Sequence, residues 1–457
     1  MAAKWKITLA ALAALFLAVL CWLKFFTPDL IRVGANYTAK IVCTNVFVAG
    51  RDIGEVLRVD VQAPGHPLMK LVQIDLNKDK GLVRANLLGL FGRGLAVYRP
   101  GTGCAAVPDG DVDSARKFQF EPVKIPSHGD ARPWPEGSQA ETNTQIEKII
   151  SDDMLSGPGM RAIAVIHQGK LVAQRYDSGF TEHTPLIGWS MTKSVNAVLV
   201  GMLIKDGKLK LDQSGFWKAA QPSDGRENIT LSNLLSMSSG LQFNEDYGNV
   251  SDVTRLLFLT PDMPAFVHNK PLEHPPGTFW NYSTGTSVLL SRLWQDAAGQ
   301  SALSYPNRQL FAPLGMNSAF IEADARGTLV GGSYMYATAQ DWARIGQFLL
   351  QNGTWNGQQF LPDNYVSMMH TEAPASGGEY GMGQVWVQGP GGDNAQHKNP
   401  GPSFQLPADT FWMEGHDGQS VAIIPSKQLV VVRLGLTPRW LDYKPQAMLT
   451  EILKTIP

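Results

Sequence analysis

Ser190 and Lys193 are the residues whose types and spacing first suggest a reaction. They lie in Gly188-Trp-Ser-Met-Thr-Lys-Ser194, which opens the apolar run Val195–Ile204. A serine and a lysine three residues apart share one face of a helical turn, so the amine reaches the hydroxyl. The start of that helix also points backbone N–H groups at charge developing on a bound carbonyl. A lysine held among apolar residues loses proton affinity, which suits it to accept the serine's proton near neutral pH. The spacing alone is not selective. Ser114-Ala-Arg-Lys117 repeats it, although no long apolar helix follows Ser114. An ordinary serine at a helix start is the competing reading for Ser190.

Two further segments place polar side chains at the ends of elements. Pro276-Gly-Thr-Phe-Trp-Asn-Tyr282-Ser-Thr284 precedes an apolar helix expected over Thr286–Trp294. Phe411-Trp-Met-Glu-Gly-His416-Asp-Gly418-Gln419 opens a C-terminal hairpin and puts His416 on or beside an edge strand. Singly, Tyr282 reads as a packed aromatic and His416 as a turn residue.

The elements that must hold these residues follow an informative order. A helical stretch near Thr144–Met154 precedes a hairpin, Ala162–Ile166 and Lys170–Tyr176, turning at His167-Gln-Gly169. A second hairpin, Gln419–Ile424 and Leu429–Leu434, lies near the end, before a closing helix over Tyr443–Thr455. Helices fill the middle, one over Thr192–Lys205 and one over Leu231–Met237 with Thr230 as its N-cap. The fold class expected is α/β (α+β): an antiparallel sheet made from N- and C-terminal strands, with a helical lobe inserted between them. This domain occupies 140–457. A Pro- and Gly-rich linker is expected over 122–139 and a small β-rich module over 29–121, with Ala39–Ala49 and Val56–Gln62 as strands.

At the N-terminus, Lys4 and Lys6 precede an apolar run from Ile7 to Leu23, followed by Lys24 and Pro28. Positive charge followed by an apolar run is the layout of an export segment. Trp22, Phe25 and Phe26 stand where a cleavage site needs small residues, so residues 1–28 are expected to be an uncleaved anchor with the remaining chain outside. The catalytic domain would then sit in the periplasm of a bacterium, on the inner membrane. A buried core helix is the alternative. Cys21 lies in the anchor, leaving Cys43 and Cys104 as a disulfide in an oxidising compartment, or as two buried thiols.

Composition narrows the partners. With 457 residues, 44% hydrophobic and 17% charged, the chain suits two or three domains with a sizeable core. A net charge of -1 gives no field for phosphate backbones, so no nucleic-acid partner is expected. With neither a Cys-x-x-Cys nor a His-Glu-x-x-His motif, no metal and no cofactor is expected. The oligomeric state is not legible.

Together and in this order, the segments around Ser190, Tyr282 and His416 resemble the serine β-lactamase/penicillin-binding-protein superfamily, with its Ser-x-x-Lys, Tyr-x-Asn and Lys-Thr-Gly motifs. The chain is most similar to the branch of 6-aminohexanoate-dimer hydrolases and class C-like esterases. Leu234–Leu241, Leu310–Met316, Gly332–Arg344 and Pro425 extend the resemblance from Ser138 to the C-terminus. The resemblance implies an acyl-enzyme on Ser190, with Lys193 and Tyr282 sharing the proton transfers. It also implies an oxyanion site at the backbone N–H groups of Ser190 and Gln419, just past His416-Asp417-Gly418, and a substrate contact for Tyr247. Thr284 stands where the superfamily has Asn, and His416-Asp417 replaces Lys-Thr. Both departures favour a small amide or ester over a β-lactam. A peptidoglycan D,D-peptidase or β-lactamase, and a non-catalytic sensor on the same fold, are the alternatives.

Overall fold

The computed structural model describes residues 2–63, 66–123, 132–216, 224–390 and 404–457. The chain forms two units. One comprises Met1–Arg99, Cys104–Lys117 and Glu245–Pro261, and the other Pro100–Gly103, Phe118–Asn244 and Asp262–Pro457.

The first unit begins with α1 (Ala2–Phe25), a helix long and apolar enough to cross a membrane, whose large apolar side chains are exposed. Helix α2 (Asp29–Phe47) follows Pro28 and lies against a four-stranded sheet in the order β1 (Val72–Asn77), β2 (Leu82–Leu87), β3 (Phe91–Arg99) and β4 (Gly103–Ala106). The sheet fits the expected β-rich module, but the two proposed strands before it are helical. Ala39–Phe47 belongs to α2, and Ile53–Gln62 forms a short α-helix running into a π-helical turn.

Their β-branched content misled the sequence reading, and packing decides the matter. Small residues Ala35, Ala39 and Val42 fall at helical spacing and are buried. At the start of this face Ile31 lies over Gly92 and Ala35 over Gly94 of Phe91-Gly-Arg-Gly94. A Cβ on Gly94 would stand 2.1 Å from the Ala35 carbonyl oxygen, so the helix approaches the strand only because no side chain intervenes. Cys43 and Cys104 form the expected disulfide, tying α2 to β4. The helix Asp252–Leu259, expected inside the hydrolase domain, belongs to this unit: Phe258 meets Tyr37 edge-to-face at 5.5 Å, and Arg255 pairs with Asp29 at 2.9 Å.

The second unit is built on a five-stranded antiparallel sheet, in the order β7 (Phe411–Gly415), β8 (Gln419–Ile424), β9 (Leu429–Gly435), β5 (Met160–His167) and β6 (Lys170–Tyr176). The two expected hairpins are thus joined through β9 and β5, and the helical lobe is inserted between them. Helices α3 (Thr144–Ile150) and α7 (Gln446–Leu453) cover one face, burying Ile146, Ile150, Leu449 and Ile452 with Ile163, Val165, Ile424 and Val431. On the other face, α6 (Ala339–Leu350) comes so near that a Cβ on Gly346 would lie 2.5 Å from Val430. Two covered faces explain why β8 and β9 are buried along their whole length and mostly apolar instead of alternating. Helix α4 (Thr192–Lys205) keeps the expected bounds, and Leu231–Leu235 starts on a capping box between Thr230 and Asn233.

Part of the expected linker, 124–131, lies outside the described residues. The remainder is not a spacer, because Phe118–Val123 and 132–139 belong to the second unit. Trp134 is buried beneath the Arg344 guanidinium, which also donates to the carbonyls of Pro135 and Gly137. Proline marked this segment as irregular; a buried tryptophan made it part of the core.

Candidate active site

Ser190 sits in the 3-10 turn Trp189–Met191 that runs directly into α4. The turn is held sharply. Trp189 adopts φ 47°, a left-handed conformation unfavourable for a bulky side chain, and it persists because the ring is buried beside Tyr334 and His416. Gly188 before it has no room for a side chain, since a Cβ would stand 2.2 Å from the Trp342 ring. Thr192 fixes the other end, donating to the Trp189 carbonyl at 2.6 Å and accepting from the Met335 N–H at 3.0 Å.

Lys193, one helical turn on, is 1% exposed. Its Nζ donates to Ser190 Oγ at 3.0 Å, to Thr284 Oγ1 at 3.0 Å and to the Gly332 carbonyl at 2.8 Å. Three acceptors match the three N–H groups of an ammonium. The Tyr282 ring lies beside the same nitrogen, its centroid 4.8 Å away. Tyr282 arrives on the segment that starts α5 (Thr284–Ala298), whose N-cap is Ser283. The structure thus brings together Ser190, Lys193 and Tyr282, which the sequence places in two distant segments. The rival pair stays apart in character. Ser114 lies in the four-residue helix Val112–Ala115, and Lys117 beyond it is exposed.

Sequence reasoning treated Thr284 only as a departure and missed the Gly332 carbonyl. The signal for both was available in the apolar helix after Thr284 and in Gly331-Gly332. A Cβ on Gly332 would crowd Thr284, so this close approach demands glycine.

The turn His416-Asp417-Gly418 connects β7 to β8 with Asp417 at φ 57° and Gly418 at φ 81°. Gln419 begins β8 with its side chain buried and turned back. Its Nε2 donates to the carbonyls of His416 and Asp417, both at 3.1 Å, and to Gly435, and its Oε1 accepts from the Gly435 N–H at 2.9 Å. Arg433, fully buried in β9, donates to the carbonyl of Gly418 at 3.0 Å and to those of Ser156 and Pro158 at 3.1 Å. Gly415 packs so tightly that a Cβ there would stand 2.1 Å from the Gly188 carbonyl. The strand edge and the Ser190 turn are therefore neighbours. His416 Nε2 lies 3.3 Å from Asp417 Oδ1, with the His416 side chain partly exposed.

A cavity of about 690 Å³ opens beside this turn, lined among others by Trp280, Trp386, Glu379, Glu414, His416 and Gln419. Burial pushes the Glu414 carboxyl well above its ordinary range, and the nearby Glu379 adds to the effect. Burial raises Glu379 as well. Tyr247, expected at the substrate, lies half-buried in the loop before the helix Asp252–Leu259, in the unit that carries α2 and the four-stranded sheet.

The comparisons agree with this geometry. The model of the Beta-lactamase family matches residues 147–443, more than half of the chain. The chain belongs to that family. Among curated proteins it is similar to a beta-lactamase of Pseudomonas fluorescens, 27% identical over 39% of this chain and 49% of that protein. Penicillin-binding protein 4 of Amycolatopsis lactamdurans is 29% identical over 35% of this chain and 40% of its own length. The chain thus spans half or less of these curated relatives. A solved Bacillus anthracis structure described as a 6-aminohexanoate-dimer hydrolase superposes with a TM-score of 0.55 at 20% identity, covering 73% of this chain and 89% of that one. At that identity the likeness concerns the fold.

Proposed function

We propose that the chain is a serine hydrolase that cleaves a small amide or ester through an acyl-enzyme on Ser190. The observation that carries this reading is the buried Lys193 amine at 3.0 Å from Ser190 Oγ, with Thr284 and Gly332 fixing its position. In the acylation step Ser190 Oγ bonds to the substrate carbonyl carbon while its proton passes to the Lys193–Tyr282 pair. The developing oxyanion is held by the N–H groups of Ser190 and Gln419, and removal of one such donor commonly lowers a rate by ~10²–10³-fold. When the intermediate collapses, the pair returns the proton to the departing alcohol or amine. Water then attacks the ester carbonyl on Ser190 as the same pair takes its proton, and the bond from that carbon to Ser190 Oγ breaks as the pair returns the proton to Oγ, which releases the acid.

The relatives named beta-lactamase and penicillin-binding protein raise β-lactams and peptidoglycan peptides as competing substrates. Thr284 on Lys193 and His416 on the strand edge, in place of the superfamily's Asn and Lys, count against them. His416, Gly418 and Tyr247 are assigned to substrate contacts. We further assign α1 as a single N-terminal membrane anchor, with the chain after Pro28 on the periplasmic side; the Cys43–Cys104 disulfide supports an oxidising compartment.

The test is intact-mass spectrometry of the protein after brief exposure to nitrophenyl esters, 6-aminohexanoate amides and penicillins. A mass gain that maps to Ser190, and is absent in Ser190→Ala, supports the acyl-enzyme. The compounds that are also released identify the substrate class. Folded protein that gains mass from none of them removes the hydrolase reading for these classes. Turnover confined to penicillins moves the assignment to a lactamase.

A further inference from the structure

Four leucines of the first unit are exposed where burial would be expected. Leu68 and Leu71 lie on the 3-10 turn Pro67–Leu71, and Leu88 and Leu90 on the β2–β3 turn; their exposure runs from 39% to 56%. The two turns are adjacent, because the Leu88 N–H donates to the Leu71 carbonyl at 2.9 Å. Both lie against the first turns of α2. A Cβ on Gly34 would stand 3.1 Å from Met69 Sδ, and one on Gly92 would stand 2.7 Å from Ile31 Cγ2. Helix α2 starts at Asp29, only a few residues after α1 ends at Phe25. The leucines therefore gather at the foot of α1, where Phe25, Phe26 and Leu30 are exposed too.

The turn itself is chemically odd. Leu88 and Gly89 take φ 56° and φ 72°, a pairing in which hairpins ordinarily use Asn-Gly. Leucine in that conformation is strained, yet half of it stays exposed. Lys70 and Arg93 are exposed in the same region, and Lys24 closes α1. Long cationic side chains beside exposed apolar ones suit the boundary between acyl chains and headgroups.

We propose that Leu68, Leu71, Leu88 and Leu90 form an apolar apron that seats in the interfacial layer of the bilayer crossed by α1. The proposal rests on the reading of α1 as an anchor. It commits this end of the unit to lipid and makes the β2–β3 turn a second point of membrane contact, which restricts how the unit tilts about the end of α1.

The experiment uses the full chain with Cys21→Ser, reconstituted in phosphatidylcholine/phosphatidylglycerol vesicles. Single cysteines at Leu90 or Leu88 carry an environment-sensitive fluorophore. Asp79→Cys, on the exposed turn at the opposite end of β1 and β2, and Val19→Cys, within α1, serve as references. Lipids bearing a spin label high on the acyl chain should quench Leu90→Cys and Leu88→Cys at least threefold more than Asp79→Cys. If Val19→Cys is quenched but positions 88 and 90 match position 79, the apron is wrong and the anchor stands. If position 19 is not quenched either, both fall. Shielding of positions 88 and 90 from lipid by a second copy, seen as label-to-label quenching between molecules, would also overturn the proposal.

Discussion

The Lys193 amine is the residue on which the proposed chemistry turns. Lys193→Ala should lower the acylation rate by ~10²–10⁴-fold, the usual contribution of a positioned base, as read from the burst of nitrophenol release. Because the side chain is buried with three hydrogen bonds, the variant should also lose stability; Lys193→Met, which refills the volume, separates the two effects. Glu414 gives a pH prediction. Burial raises its folded pKa, so the folded state holds the proton more tightly than the unfolded chain does. Its stabilising contribution is complete below the unfolded value of about 4.5 and is lost as pH rises through the folded value. Glu414→Gln should therefore melt close to the native protein at pH 4 and above it at pH 8, which scanning calorimetry at both values would check. Asp324 has the same sign: burial pushes it up to about 6 although three backbone N–H groups donate to it. At this scale Ser190, Lys193 and Tyr282 were legible because motif and order coincide. Arg433 was not, because a strand arginine carries no signal until the chain is folded, and Gly332 was passed over although the Gly331-Gly332 pair marks a close backbone approach.

Among the elements, the His416–Gly418 turn shows how distant strands set a site. Arg433 reaches from β9 to hold the Gly418 carbonyl, so Arg433→Met should remove the side-chain donor from the carbonyls of Ser156 and Gly418, while that of Pro158 keeps Thr437 Oγ1. A loss of about 3 kcal/mol is expected in denaturant unfolding, at ~1–3 kcal/mol per unsatisfied group with partial relaxation. Acylation should slow as well, because the same turn leads into Gln419. An unchanged burst rate in folded variant protein would separate the turn from catalysis. Hairpins β5–β6 and β8–β9 were readable from short β-branched runs bounded by turn residues. Helix α2 was not, since Ile41-Val-Cys-Thr-Asn-Val is a strand by local preference and a helix only because Gly92 and Gly94 offer a surface to pack on.

For the whole molecule, the Cys43–Cys104 disulfide bounds the first unit. By the chain-entropy model, closing a loop of 61 residues contributes ~4 kcal/mol, so reduction should open this unit to protease within 29–117. Ser190, in the other unit, should still be labelled by an ester; loss of labelling in step with cleavage would refute that independence. The domain plan was legible in outline, but the boundary was not, because the segment Glu245–Pro261 returns to the first unit from deep within the hydrolase sequence. That return has a consequence for the order of folding. During synthesis α1 and the four strands emerge first, yet the helix that buries Leu256 and Leu257 and brings Phe258 to Tyr37 is made much later. The first unit must wait with an apolar face open until residue 261 has been made, so a ribosome stalled before residue 245 leaves it incomplete, however long the wait.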